Sequence, residues 1–122
     1  MATLDNRVLD NGLTVLDTEA NAIHITSAEA TSFANVSSVT LGNSTSLSIG
    51  APQDRSGGGR EVVVAAITDG SVTSTGTATH YAIVDTVNSR LLATGSLTAS
   101  QSVTSGNTFT LSSVAIGIPD PA

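Results

Sequence analysis

Hydrophobic positions along the chain keep two rhythms. From Leu4 to Ala20, Leu9, Leu13 and Leu16 recur at i, i+4 and i+7, with Val8 and Val15 beside them, the stripe of an amphipathic helix. Asp5 stands where an N-cap would accept the first free amides, and Leu4 with Leu9 fits a flanking hydrophobic staple. Gly12 inside the stripe costs about 1 kcal/mol relative to Ala, so the helix, ending around residues 18–21, needs tertiary support.

Beyond that point the period drops to two. Residues 20–26 alternate with Ile23 and Ile25 on one face, and residues 27–35 are polar, with one helical turn expected around Ala28 to Phe33. Val39 and Leu41 alternate in a next strand, Leu47 and Ile49 in another, with Gly42-Asn43 as the turn between them. Residues 50–60 (GAPQDRSGGGR) read as a loop, and residues 61–68 (EVVVAAIT) as one strand buried on both faces. Asp69-Gly70 has the form of a tight hairpin turn. Strands follow over residues 71–79, continued by 80–86, and over 90–97, with Val87-Asn88-Ser89 turning between the last two. Residues 98–107 carry Val103 and a Ser105-Gly106-Asn107 turn, and Phe109 to Ile118 forms the last strand. The pattern predicts an all-β fold, a sandwich or barrel of about seven or eight short antiparallel strands, with a short N-terminal helix. Residues 1–19 form a helix or arm and residues 20–122 a β domain, in one domain overall.

Composition supports the β reading. The 122 residues include 18 Thr and 17 Ser but no Lys, and branched Cβ atoms suit a pleated surface. With two Phe, one Tyr and no Trp, the core rests on Val, Ile, Leu and Ala, and burial added by oligomerisation fits that shortage of aromatic area. Charged residues are 11% and the net charge is −6, a balance that argues against nucleic acid or an anionic membrane as partner. There is no Cys, which removes disulfides, thiolate catalysis and thiolate-bound metal. The N-terminus lacks the basic-then-apolar pattern of a signal peptide.

Candidate chemistry is sparse. The glycines 57–59 lead into a strand with no following Lys, so they read as a loop and not as a phosphate cradle. His24 and His80 could share a metal with Asp69 or Asp85, but no ligand spacing links them, and His80 reads as packed beside Ala82 and Val84. Thr73, Thr75, Thr77 and Thr79 alternate, which predicts one solvated row on a strand face. Asn35-Val36-Ser37 and Asn43-Ser44-Thr45 match the glycosylation pattern, as chance allows in so Ser- and Thr-rich a chain. There is no nucleophile elbow and no aromatic platform for sugars beside paired carboxylates. The expectation is a protein that is not an enzyme, with no cofactor, no metal site and no catalytic residue.

The stretches LDNGLTVLDTEANAIHITSAEATSF (residues 9–33) and DGSVTSTGTATHYAIVDTVNSRLLATGSLTASQSVTSGNTFTLSSVAIGIPDPA (residues 69–122), above all residues 76–120, resemble small structural proteins of tailed bacteriophages and prophages. The resemblance implies a virion component made in the host cytoplasm, of capsid decoration (cement) type. It implies the major capsid protein or another virion protein as partner, and a homo-oligomer, trimer or dimer. A tail or head-fibre component, or a receptor- or glycan-binding β module, is the alternative. The expected partner contacts are Leu4, Val8 and Leu9, which would hold the N-terminal arm against the shell or a sister subunit, unless they cap the protein's own β core.

Overall fold

The computed structural model describes residues 6–119, with side chains from Asp10 onward. Among these, two helices and nine strands form two antiparallel sheets, as an all-β chain with a short N-terminal helix requires. The chain divides into two compact units. One gathers the N-terminal segment up to Glu19, Ser48–Ala66 and the segment from Ser112; the other is Ala20–Leu47 with Ile67–Leu111.

The first unit holds α1 (Asn6–Glu19), β3 (Gln53–Asp54), β4 (Arg60–Val64) and β9 (Val114–Ile118), the strands in the order β3-β4-β9. α1 packs on β4 and β9 with Leu13 and Leu16 buried. The glycine in the helical stripe permits this approach: a Cβ on Gly12 would lie 3.3 Å from Ile118 Cδ1. Arg60 ties helix to sheet, its Nε 2.8 Å from Asp10 Oδ1 and its Nη1 2.6 Å from Asp54 Oδ1. The expected Asp5 cap and the Leu4 half of the staple lie outside the described residues.

The glycine-rich loop closes the β3–β4 hairpin. Gly57, Gly58 and Gly59 all have positive φ (89°, 103° and 92°), where a side chain is strained. Arg55 Nη1 donates to Gly58 O at 3.0 Å. A Cβ on Gly59 would sit 2.1 Å from Ile118 O, so only glycine admits this turn beside β9.

The second unit is a six-stranded sheet in the order β7-β6-β1-β2-β5-β8, made of β1 (Ala22–Thr26), β2 (Thr40–Ser44), β5 (Ile67–Val72), β6 (Gly76–Asp85), β7 (Arg90–Val103) and β8 (Thr108–Leu111). One face is the interior, where Ile23, Ile25 and Ile83 are at most 1% exposed. Its two aromatic rings fill notches left by cross-strand glycines. Tyr81 pairs with Gly95 and Phe109 with Gly70, and a Cβ on either glycine would fall within 2.6 Å of the ring. The sheet curls until its edge strands nearly meet: Gln101 Nε2 of β7 donates to Thr110 O of β8 at 2.9 Å. A side chain spans that seam where a backbone ladder would close a barrel. α2 (Phe33–Val39) covers part of the opposite face, where Ala30 and Val36 pack with Ala22, Ala82 and Val84, flanked by Phe33, Val39 and Leu91.

Several local expectations give way to tertiary pairing. Gly42-Asn43 is no turn; both lie inside β2, and a Cβ on Gly42 would be 2.3 Å from Ser71 O, so the glycine serves a close strand approach. Asp69-Gly70 is likewise inside β5, the glycine lying under Phe109 and Asp69 Oδ2 accepting from Ser46 Oγ at 3.1 Å. Residues 61–68 do not form one strand: β4 ends at Val64, Ala65 and Ala66 are exposed, and β5 begins at Ile67. The last strand also divides, into β8 and β9, which join different sheets. Val39 closes α2 and does not open a strand. The helix expected near Ala28–Phe33 starts at Phe33, where Ser32 Oγ caps Asn35 N and Asn35 Oδ1 accepts from Thr31 N. Leu47 lies outside any strand, and Ile49 makes only an isolated bridge to Val64. The threonine row is broken, since Thr73 and Thr75 precede β6.

Candidate functional site

The polar residues that gather in the fold lie on the α2-bearing face of the six-stranded sheet. β1 is paired with β6 without a slip, Ala22 opposite Val84, His24 opposite Ala82 and Thr26 opposite His80. Strand alternation therefore puts His24, Thr26, His80 and Ala82 on one face. His24 and His80 are diagonal neighbours across adjacent strands, a separation of roughly 7–8 Å between backbones that long side chains span. The chain spacing of 56 residues hides this neighbourhood; strand pairing creates it.

Each imidazole is oriented by the same device. Thr40 Oγ1 lies 3.2 Å from Gly42 O and is hydrogen-bonded to His24 Nδ1 at 2.8 Å, which fixes the ring beside β2. Thr79 Oγ1 lies 3.1 Å from Ser27 O and is hydrogen-bonded to His80 Nδ1 at 2.8 Å. Burial lowers the His24 pKa from its ordinary value, which favours the neutral ring. Opposite His80 and two residues beyond His24 on β1, Thr26 is fully buried, and its Oγ1 has no hydrogen-bond partner among the described residues.

The carboxylates are engaged elsewhere. Asp85 is 2% exposed; its Oδ2 accepts from Asn88 Nδ2 at 2.8 Å, and its Oδ1 from the Val87 and Asn88 amides at 3.0 and 3.3 Å. The Asn88 side chain foremost, then those amides and the Arg90 charge, hold its pKa below the ordinary carboxylate value against the opposing effect of burial. These bonds shape the β6–β7 turn, in which Ser89 takes φ 56°. Asp69 accepts from Ser46. No group of three or more His, Cys, Asp or Glu that could hold a metal occurs among the described residues. Burial raises the Tyr81 pKa, so the phenol stays protonated in its glycine notch.

Of the expected partner contacts, Leu4 lies outside the described residues, and Val8 and Leu9 belong to α1 with their side chains outside them. The neighbouring Leu13 and Leu16 face the unit's own sheet, while Val15 is 39% exposed. No helix among the described residues is long and apolar enough to cross a membrane. The fold defines an antiparallel all-β protein with a helix laid on its smaller sheet. No family model, curated protein or solved structure matches this chain.

Proposed function

We propose that this chain is a non-enzymatic structural subunit of a tailed-phage virion, a capsid decoration protein that binds the major capsid protein as a homo-oligomer. One observation carries the reading beyond the resemblance already described. Every residue from Leu91 to Pro119 is uncharged in a chain of net charge −6. That stretch supplies β8, β9 and all of β7 after Arg90, three of the four edge strands of the two sheets, of which β9 pairs with its neighbour without a bulge. Soluble proteins usually guard sheet edges with charge; uncharged edges suit a subunit whose neighbours complete it. On a symmetric shell each weak edge contact is repeated within the oligomer, so modest contacts sum to stable decoration. Leu4, Val8 and Leu9 are the apolar residues proposed to fix the N-terminal segment to the shell or to a sister subunit.

Light scattering of the purified chain, followed by co-sedimentation with undecorated shells, tests this. The expected result is a defined dimer or trimer that sediments with shells in near-stoichiometric amount. A monomer that ignores shells contradicts the proposal and shifts the assignment to a tail component or a glycan-binding module.

A further inference from the structure

We propose that β9 pairs antiparallel with β9 of a second copy of this chain, joining two three-stranded sheets into one across a two-fold axis at Ile116. This contact rests on the homo-oligomer proposed above, supplies its interface, and needs nothing of the capsid.

Backbone direction shows which groups are free. Val63 O accepts from Gly50 N at 3.0 Å and Ala65 N donates to Ser48 O at 2.8 Å, so the polar groups of Val63 and Ala65 point away from β9. Successive residues of an antiparallel ladder turn their N–H and C=O to opposite sides. Those of Val62 and Val64 therefore serve β9, where Ile116 and Val114 stand opposite them. The N–H and C=O of Ala115 and Gly117 then point outward, along an edge that no other described strand covers. Such a row of donors and acceptors is what an added strand takes up.

Side-chain order selects a second copy as the occupant. β9 reads Val-Ala-Ile-Gly-Ile, with large and small residues alternating symmetrically about Ile116. Laid antiparallel on itself with Ile116 opposite Ile116, the strand sets Ala115 opposite the other copy's Gly117, and Val114 opposite its Ile118. The outward groups of Ala115 and Gly117 then bond one another. Half-buried β-branched side chains meet across the axis on the face that Ile118 turns to Gly12 of α1. A slip of one residue opposes outward groups to inward ones. A slip of two sets Ala115 opposite Pro119, which has no N–H, or Gly117 opposite Ser113, outside the strand. No residue from Leu91 to Pro119 is charged, so the two edges carry no like charges into the contact. A pairing over five residues depends on concentration, and copies held side by side strengthen it.

Sedimentation equilibrium and cross-linking of the full chain test the pairing. The expected result is a dimer whose share rises with concentration, with amide exchange slowing at Ala115 and Gly117 more than at Ile116, whose amide already serves β4. Ile116→Cys supplies the chain's only thiol. Antiparallel residues opposed without hydrogen bonds hold their Cα atoms about 4.5 Å apart, within disulfide reach, so mild oxidation should give a covalent dimer. Val114→Cys, about 13 Å from its own copy along the strand, should not cross-link. Ala115→Lys places a cation opposite the other copy's Gly117, where a Cβ would lie 2.8 Å from Arg55 Cδ. It should weaken dimerisation at least about tenfold, with the circular dichroism spectrum unchanged. A chain that stays monomeric up to millimolar concentration overturns the pairing. So does an oligomer in which Ile116→Cys fails to cross-link and Ala115→Lys assembles as before, and there the homo-oligomer itself stands. A β9-paired dimer that ignores undecorated shells upholds the pairing and overturns the capsid reading.

Discussion

The two units solve the problem of a core poor in aromatics in different ways. The six-stranded sheet curls on itself and buries Ile23, Ile25 and Ile83 almost completely, with Tyr81 and Phe109 fitted into glycine notches. The three-stranded sheet has one helix over it. Its β9 alternates half-buried Val114, Ile116 and Ile118 with exposed Ala115 and Gly117. The first arrangement buries its largest side chains completely, whereas in the second the large side chains of β9 stay half-buried. Their edges differ in the same sense. β7 is interrupted where Leu97–Ser100 stand opposite Thr79 alone, because Ala78 pairs with Gln101 and His80 with Ser96, and such bulges blunt an edge. β8 is four residues long. β9 runs in unbroken register along β4, with no bulge to blunt its edge. The larger sheet holds the more completely buried core, and β9 is the edge of the smaller sheet that the proposed association would use.

Core truncations should break the comparison most visibly. Ile25→Ala removes a fully buried side chain and is expected to cost about 4 kcal/mol, against about 3 kcal/mol for Leu13→Ala in the smaller unit; denaturant unfolding of both variants measures the difference. Next in size is Gly59→Ala, where positive φ and the Ile118 carbonyl both oppose a Cβ. About 2–3 kcal/mol should be lost, with the amides of β3 and β4 the first to exchange. Thr26→Val acts in the opposite direction. Removing a buried hydroxyl without a partner should stabilise the larger unit by about 1 kcal/mol, read as a rise in Tm.

The Asp85 turn adds a pH dependence. Its folded pKa lies below the unfolded value of 3.8, so the unfolded chain binds more protons there and stability falls as the solution is acidified. The contribution is fully present above the ordinary carboxylate range and is lost as pH drops below about 4. Asp85→Asn should flatten that part of the Tm profile relative to the unsubstituted protein.

Much of the architecture is legible in the residues. The leucine stripe gives α1, the Ile23/Ile25 alternation gives β1, and Val87-Asn88-Ser89 and Ser105-Gly106-Asn107 are turns in the structure. What is misleading is glycine. Gly42 and Gly70 look like turn residues because local rules assign glycine to turns, yet both serve non-local approach, one to the Ser71 carbonyl and one to the Phe109 ring. Runs such as residues 61–68 carry no local mark of where one sheet ends and another begins. The breaks at Ala65-Ala66 and Ser112-Ser113 are set by pairing with distant strands. Phe33, Val36 and Val39 form a short helical stripe behind a Ser32–Asn35 cap, a signal masked by reading Val39 with Leu41 as a strand. The histidine pair is illegible for the same reason, since only the β1–β6 register makes neighbours of residues so far apart in the chain.

The division of labour between the sheets is tested most directly by amide hydrogen exchange of the full chain, alone and bound to undecorated shells. For the chain alone, slowest exchange is expected in β1 and β6 and faster exchange in α1, β4 and β9. On binding, protection should rise in residues 6–19 and 114–118 and stay unchanged in β1 and β6. Protection gained in β1 and β6, with β9 exchanging as before, would contradict it.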